Sequence, residues 1–164
     1  MPDFEKMVKA ARTKSEGLIQ AAAEAERAKK DADERRIAEA DKFLQENVLP
    51  VLMQASTAFA AHGIDSEIDA VKSWRSSTHA TDPVEIRAVN FHCEGKLDGA
   101  ESGDKTIRGE KFVIEHDGTV LSWKTYMAST AGQRFAGGTV EDFVAPIVNK
   151  ALDSYYEKLR SARL

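Results

Sequence analysis

His92 and Cys93 are the chain's only adjacent pair of soft metal-ligand types. In an extended strand, neighbouring side chains point to opposite faces, so the two cannot readily serve one site. Cys93 falls on the apolar side of its segment, where a free thiol behaves as a small hydrophobe. The four histidines, His62, His79, His92 and His116, fall at a helix end, a loop, a strand face and a hairpin turn. No pair has the i, i+4 spacing of a helical zinc site. A metal centre needs three or four converging ligands, so surface and capping roles are expected. The sequence predicts no metal site and no cofactor.

The segment Gly132–Thr139, GQRFAGGT, approaches the phosphate-loop pattern G-x4-G-K-[ST], but Gly138 stands where the lysine should be. Without that charge the loop has no contact to the outer phosphates. No strand follows to complete a parallel unit, and a glycine turn into a capped helix is expected instead. The acidic run Glu94, Asp98, Glu101, Asp104 lacks the spacing of a calcium loop. No serine sits in a G-x-S-x-G elbow. The remaining chemical candidates are His92, Glu94, Lys111, Glu115, Lys124 and Tyr126, which strand alternation places on one sheet face. Mixed charges are also what a solvated sheet needs, so no catalytic residue is assigned.

The elements that carry these residues follow from periodicity. Residues 1–35 form an Ala-rich helical arm. Over residues 1–36 there are nine Lys or Arg against eight Asp or Glu. Its thin apolar stripe, Phe4, Val8, Ala11, Leu18, Ala22 and Ala25, has a period near 3.5 and is broken by Ser15 and Lys29. A helix of this quality is marginal alone and needs a partner surface, either its own domain or a second copy. The six stripe residues are therefore the candidate interface. From about 35 to 62 the apolar face thickens (Ile37, Ala40, Phe43, Leu44, Val48, Val51, Leu52, Ala55, Phe59), with a kink expected at Pro50. His62-Gly63-Ile64 has the form of a Schellman ending.

Alternation then takes over, in 64–71 and 88–97, with loops at 73–83 and 98–104. Asp117-Gly118 fits a two-residue hairpin turn. It predicts the pairs Glu115/Val120, Ile114/Leu121, Val113/Ser122 and Phe112/Trp123, with Phe112, Ile114, Leu121, Trp123 and Met127 facing the core. A short fifth strand falls near Arg134–Ala136. A last helix runs from about 140 to 162, capped by Thr139, with Pro146 bending it or marking a start near Ala145.

The predicted fold is α+β. It is a two-layer sandwich, an antiparallel sheet of four or five strands with amphipathic helices on one face and a long N-terminal helix, in the order α-α-β-β-β-β-α. The domains are the arm, 1–35, and the α+β domain, 36–164. The sheet's other face is expected to be wet.

Composition narrows the function classes. With 42% hydrophobic and 30% charged residues among 164, the chain reads as a soluble globular protein. Its 23 basic and 27 acidic residues give a net charge of −4, which disfavours nucleic acid. The one candidate patch, Lys29, Lys30, Arg35 and Arg36, is cancelled by Asp31, Asp33 and Glu34. One cysteine excludes an internal disulfide. Charges within the first sixteen residues exclude an apolar signal core, and the uncharged run between Glu46 and Asp65 is too polar for a membrane span. A cytoplasmic location is expected. The leading expectation is a non-enzymatic protein that self-associates, as a homodimer with coiled-coil character, and acts through contacts with protein partners. The alternative is a small-ligand binder or enzyme whose pocket lies between sheet and helices, lined by Phe59, Phe91, Trp123, Phe143 and Tyr155.

Overall fold

The structure, a computed structural model, describes residues 1–72, 85–97, 105–128 and 132–163. The expected loops at 73–83 and 98–104, with His79, lie outside the described residues. The chain divides into two units, Met1–Arg36 and Ile37–Leu164. In the first unit every residue but Ala32 is exposed, and all of it from Phe4 onward is helical. This helix, α1, spans Phe4–Phe43, and its last residues belong to the second unit.

In the second unit α1 passes into a π-helical stretch, Leu44–Val48, and then α2, Leu49–Ala60. The sequence explains the wide turn. The buried residues are Ala40, Leu44, Val48 and Leu52, spaced by four throughout. An α-helix advances about 100° per residue, so a strict four-residue spacing drifts by about 40° at each step. The i→i+5 turn, closed by the Leu49 N–H donating to the Leu44 carbonyl, takes up that drift. Pro50 then falls at the start of α2, where its missing donor costs little. The expected kink is thus a π turn just before the proline.

The helix ends as predicted. Gly63 has φ +75°. The Ile64 N–H donates to the Phe59 carbonyl at 2.9 Å, and the Gly63 N–H to Ala60 at 3.1 Å, a Schellman pair. Ile64 is buried and joins the core.

The sheet contains β1 (Asp65–Lys72), β2 (Ile86–Leu97), β3 (Lys105–Arg108), β4 (Phe112–His116), β5 (Leu121–Thr125) and β6 (Gln133–Arg134), all antiparallel. The order is β1-β2-β4-β5-β6, with β3 also paired to β2. β3 meets the second half of β2 (Glu94↔Arg108) and β4 the first half (Phe91↔Phe112), so the two form one interrupted lane. The short fifth strand is β6, placed at 133–134. The last helix, α3, runs Val140–Arg163, with Pro146 inside it. Thr139 caps it, its Oγ1 accepting the Asp142 N–H at 3.1 Å.

The core lies between the sheet and α2, α3 and the π turn. Leu44, Leu52, Phe91, Ile114, Leu121 and Ile147 are fully buried there. Gly95 and Gly109 let α3 approach unusually closely. A Cβ on Gly95 would collide with the Tyr155 ring, 3.0 Å from Cζ. On Gly109 it would lie 3.1 Å from the Tyr155 nitrogen and 3.2 Å from the Ala151 carbonyl.

Three expectations need correction. The hairpin pairs His116↔Leu121, Glu115↔Ser122 and Ile114↔Trp123, two residues out from the predicted register. The loop is therefore the four residues 117–120. The Asp117 carboxylate accepts the Thr119 and Val120 N–H groups at 2.8 and 2.7 Å, an Asx turn that outcompetes the tight one. A shift of two preserves the faces, so the predicted core side stands for Phe112, Ile114 and Leu121. Met127, by contrast, sits at φ +68° in a turn and is 86% exposed. Finally, the face away from the helices is not uniformly wet, because Ala88, Asn90, His92 and Val113 on it are buried.

Candidate functional site

Alternation along β2 points Val89, Phe91 and Cys93 into the core and Ala88, Asn90, His92 and Glu94 to the opposite face. A cavity of about 840 Å³ opens on that opposite face. Its floor is Ala88 and Asn90 of β2, Val113 and Glu115 of β4, and Ser122 and Lys124 of β5. Val71, Arg87, His116, Val120, Tyr126, Met127 and Arg134 also line it. The volume falls within the usual range of small-molecule sites, roughly 300–1,000 Å³.

Asn90 is the most unusual member. It is only 7% exposed, and among the described residues its carboxamide has no hydrogen-bond partner. Its backbone is held on both sides, opposite Asp69 of β1 and Val113 of β4. Its amide atoms are not sealed in the interior but open on the cavity, where solvent or a ligand can meet them. Charge gives a second asymmetry. Lys124 pairs with Glu115 at 3.4 Å, whereas Arg87 and Arg134 have no carboxylate partner among the described residues. Asp117 is committed to its turn, and those backbone donors hold its carboxyl below the ordinary range. Burial lowers the His116 pKa, partly opposed by Asp117 and Glu39. His116 stacks on Phe43 at 4.7 Å, and its Nδ1 accepts the Gly118 N–H at 3.0 Å.

A second cluster lies on the same sheet face. Register sets Glu67 of β1 opposite His92 of β2. The His92 Nε2 is 3.1 Å from Glu94 Oε2 and 3.6 Å from Glu67 Oε2. Arg108 Nε lies 3.5 Å from the same Glu94 oxygen.

Of the six chemical candidates read from the sequence, all share this face, but they form separate pairs. His92 meets Glu94, Glu115 meets Lys124, and the Lys111 ammonium lies 4.7 Å from the Tyr126 ring centroid. Asn90, Arg87, Arg134 and Glu67 were not singled out. Alternation places Asn90 and Glu67 on the outer faces of their strands, but nothing local marks one as buried or pairs the other with His92. The aromatic residues expected to line an inner pocket instead fill the core. Phe91 and Tyr155 are buried in it, and Phe59, Trp123 and Phe143 pack against it. Cys93 is buried there too, and burial pushes its thiol up to about 11. At Gly132–Thr139, β6 runs antiparallel to β5, so no phosphate-loop unit exists, and Glu141 and Asp142 occupy the first turn of α3. Of the acidic run, only Glu94 lies within the described residues.

The candidate interface residues Phe4, Val8, Ala11, Leu18, Ala22 and Ala25 are all exposed on α1. Among the described residues, no helix is long and apolar enough to cross a membrane. No family model, curated protein or solved structure matches this chain.

Proposed function

We propose that the second unit is a small-molecule-binding domain whose ligand is an amphipathic organic anion held in the outer-face cavity. The observation that carries this reading is the Asn90 carboxamide at the cavity floor, which makes no hydrogen bond among the described residues and opens on the cavity. An Asn offers both donors and an acceptor, so it can read a polar group on a ligand. The Arg87 and Arg134 guanidinium groups, with no carboxylate partner among the described residues, suit a carboxylate or phosphate. Val71, Ala88, Val113, Val120 and Met127 suit an apolar body beside it. Because Glu115–Lys124 and Lys111–Tyr126 already satisfy each other, the arrangement supports binding more directly than catalysis. Calorimetric titration with octanoate, octanol and octylamine tests the reading. Octanoate binds and the other two bind at least tenfold more weakly; Arg134→Glu weakens octanoate. Equal binding of octylamine, or no binding of octanoate at millimolar concentration, refutes it.

A second reading rests on the first unit. Phe4, Met7, Val8, Leu18 and Ile19 are 57–67% exposed on a stretch of α1, 4–36, in which every residue but Ala32 is exposed. A solitary helix with this composition is marginal in water. We infer that the arm pairs with the same segment of a second copy, giving a homodimer with coiled-coil character in a cytoplasmic, protein-binding role. Light scattering on the full chain and on one lacking residues 1–35 tests this. A dimer that becomes a folded monomer supports it; a monomeric full chain refutes it.

A further inference from the structure

We propose that Glu67, His92 and Glu94 form a binding site for a divalent transition-metal ion on the helix-distal face of β1 and β2. The site stands apart from the anion-binding reading and does not depend on it. Its geometry comes from the sheet. β1–β2 register sets Glu67 directly across from His92, and Glu94 follows two residues along the same face. The ligating atoms of the three side chains all lie within 4.8 Å of one another. Two ligands on one zinc-like ion, each at about 2.0–2.2 Å, sit roughly 3.0–3.5 Å apart. The observed His92–Glu94 and His92–Glu67 separations of 3.1 and 3.6 Å match that edge length. The wider gap between the carboxylates lies on the side of Glu67, whose side chain is 55% exposed.

The burial of the imidazole is the second argument. His92 is 5% exposed, yet its Nε2 faces two carboxylates rather than an apolar wall. A neutral imidazole has at most one proton there and can donate to only one of them. A cation bound by the nitrogen lone pair serves both oxygens at once. One imidazole with two carboxylates favours zinc or manganese over calcium or magnesium, because hard ions prefer an all-oxygen shell. Three protein ligands and the exposed Glu67 side leave open positions for water or a substrate oxygen. Arg108 is the opposing charge. Its Nε reaches the Glu94 oxygen that the ion would take, while its side chain is 71% exposed.

The test is titration of the EDTA-treated full chain with ZnCl2 and CaCl2 by calorimetry. One zinc binds per chain, and calcium binds at least a hundredfold more weakly. His92→Gln and Glu67→Gln each weaken zinc more than tenfold, whereas Arg108→Gln tightens it several-fold by removing the competing cation. His62→Gln leaves it unchanged, separating this site from adventitious binding at surface histidines. Should His92→Gln fail to fold, the exposed Glu67→Gln and Arg108→Gln changes decide alone. Absence of zinc binding, or binding unchanged in Glu67→Gln and unaffected by Arg108→Gln, overturns the proposal and leaves an imidazole–carboxylate ion-pair network.

Discussion

Replacing Asn90 with Val separates two roles that a buried asparagine can have. An asparagine kept for the fold is hydrogen-bonded, and removing it strands its partners at a cost of about 1–3 kcal/mol. Asn90 has no such partner among the described residues, so the change strands nothing, and its amide opens on the cavity rather than being sealed in the core. Because the amide opens on the cavity, its removal gains at most about 1 kcal/mol. Asn90 stands directly opposite Val113, so the new side chain also gains a cross-strand apolar neighbour, worth about 0.2–1 kcal/mol. The sum predicts a variant more stable by about 0.2–2 kcal/mol, with Tm raised by about 2–4 °C per kcal/mol for a chain of this size. Urea denaturation with an unchanged m-value is the assay, and octanoate titration on the same sample is its companion. Stability rises while binding falls. A variant destabilised by 1 kcal/mol or more would refute the reasoning, since it would mean that the carboxamide is a structural bond rather than a reader of ligand.

Gly95→Ala tests the close approach of α3. Strand propensity alone favours Ala by about 0.5–1 kcal/mol, but the new methyl collides with the buried Tyr155 ring, and overpacking of this kind costs about 1–3 kcal/mol. The net prediction in urea is a loss of about 1–2 kcal/mol, partly recovered by adding Tyr155→Phe, which removes the atom met first. For His116, burial holds the folded pKa below the ordinary value of 6.5. The unfolded chain therefore takes up the proton first as pH falls, so this residue's contribution is complete above 6.5 and is lost on descending from there to the folded value. Denaturant midpoints measured from pH 8 to 5 fall across that window, and His116→Gln removes this component of the fall.

Much of the fold was legible because it rests on local chemistry. Gly63 and Ile64 announce a helix ending in their types alone, and Thr139 announces a cap. Alternation in β2 and the 112–125 hairpin assigns faces without any knowledge of pairing. What escaped depends on competition or on distance. Asp117 can stabilise either a two-residue or a four-residue loop, and its carboxylate decides through two backbone bonds that no pattern reveals. The π turn follows from the four-residue spacing of Ala40, Leu44, Val48 and Leu52, a signal present in the sequence but hidden among neighbouring apolar residues. The site was half visible. His92 and Glu94 were placed on one face by their own strand, while Glu67 joins them only through the register between β1 and β2, whose connecting segment does not dictate it. Burial of Asn90 is a property of the assembled sheet.

β2 is hydrogen-bonded along both edges, to β1 and to β3 and β4, and is buried from Ala88 to Cys93. Such a strand opens only when the whole domain does, so its central amides belong among the slowest to exchange with solvent. Asn90 and His92 ride on it. Their positions are therefore set before any ligand arrives, and the entropy of arranging them has already been spent in folding. On the proposed reading, specificity would reside in the rigid floor and accommodation in the exposed Arg87, Arg134 and Glu67 at the margin.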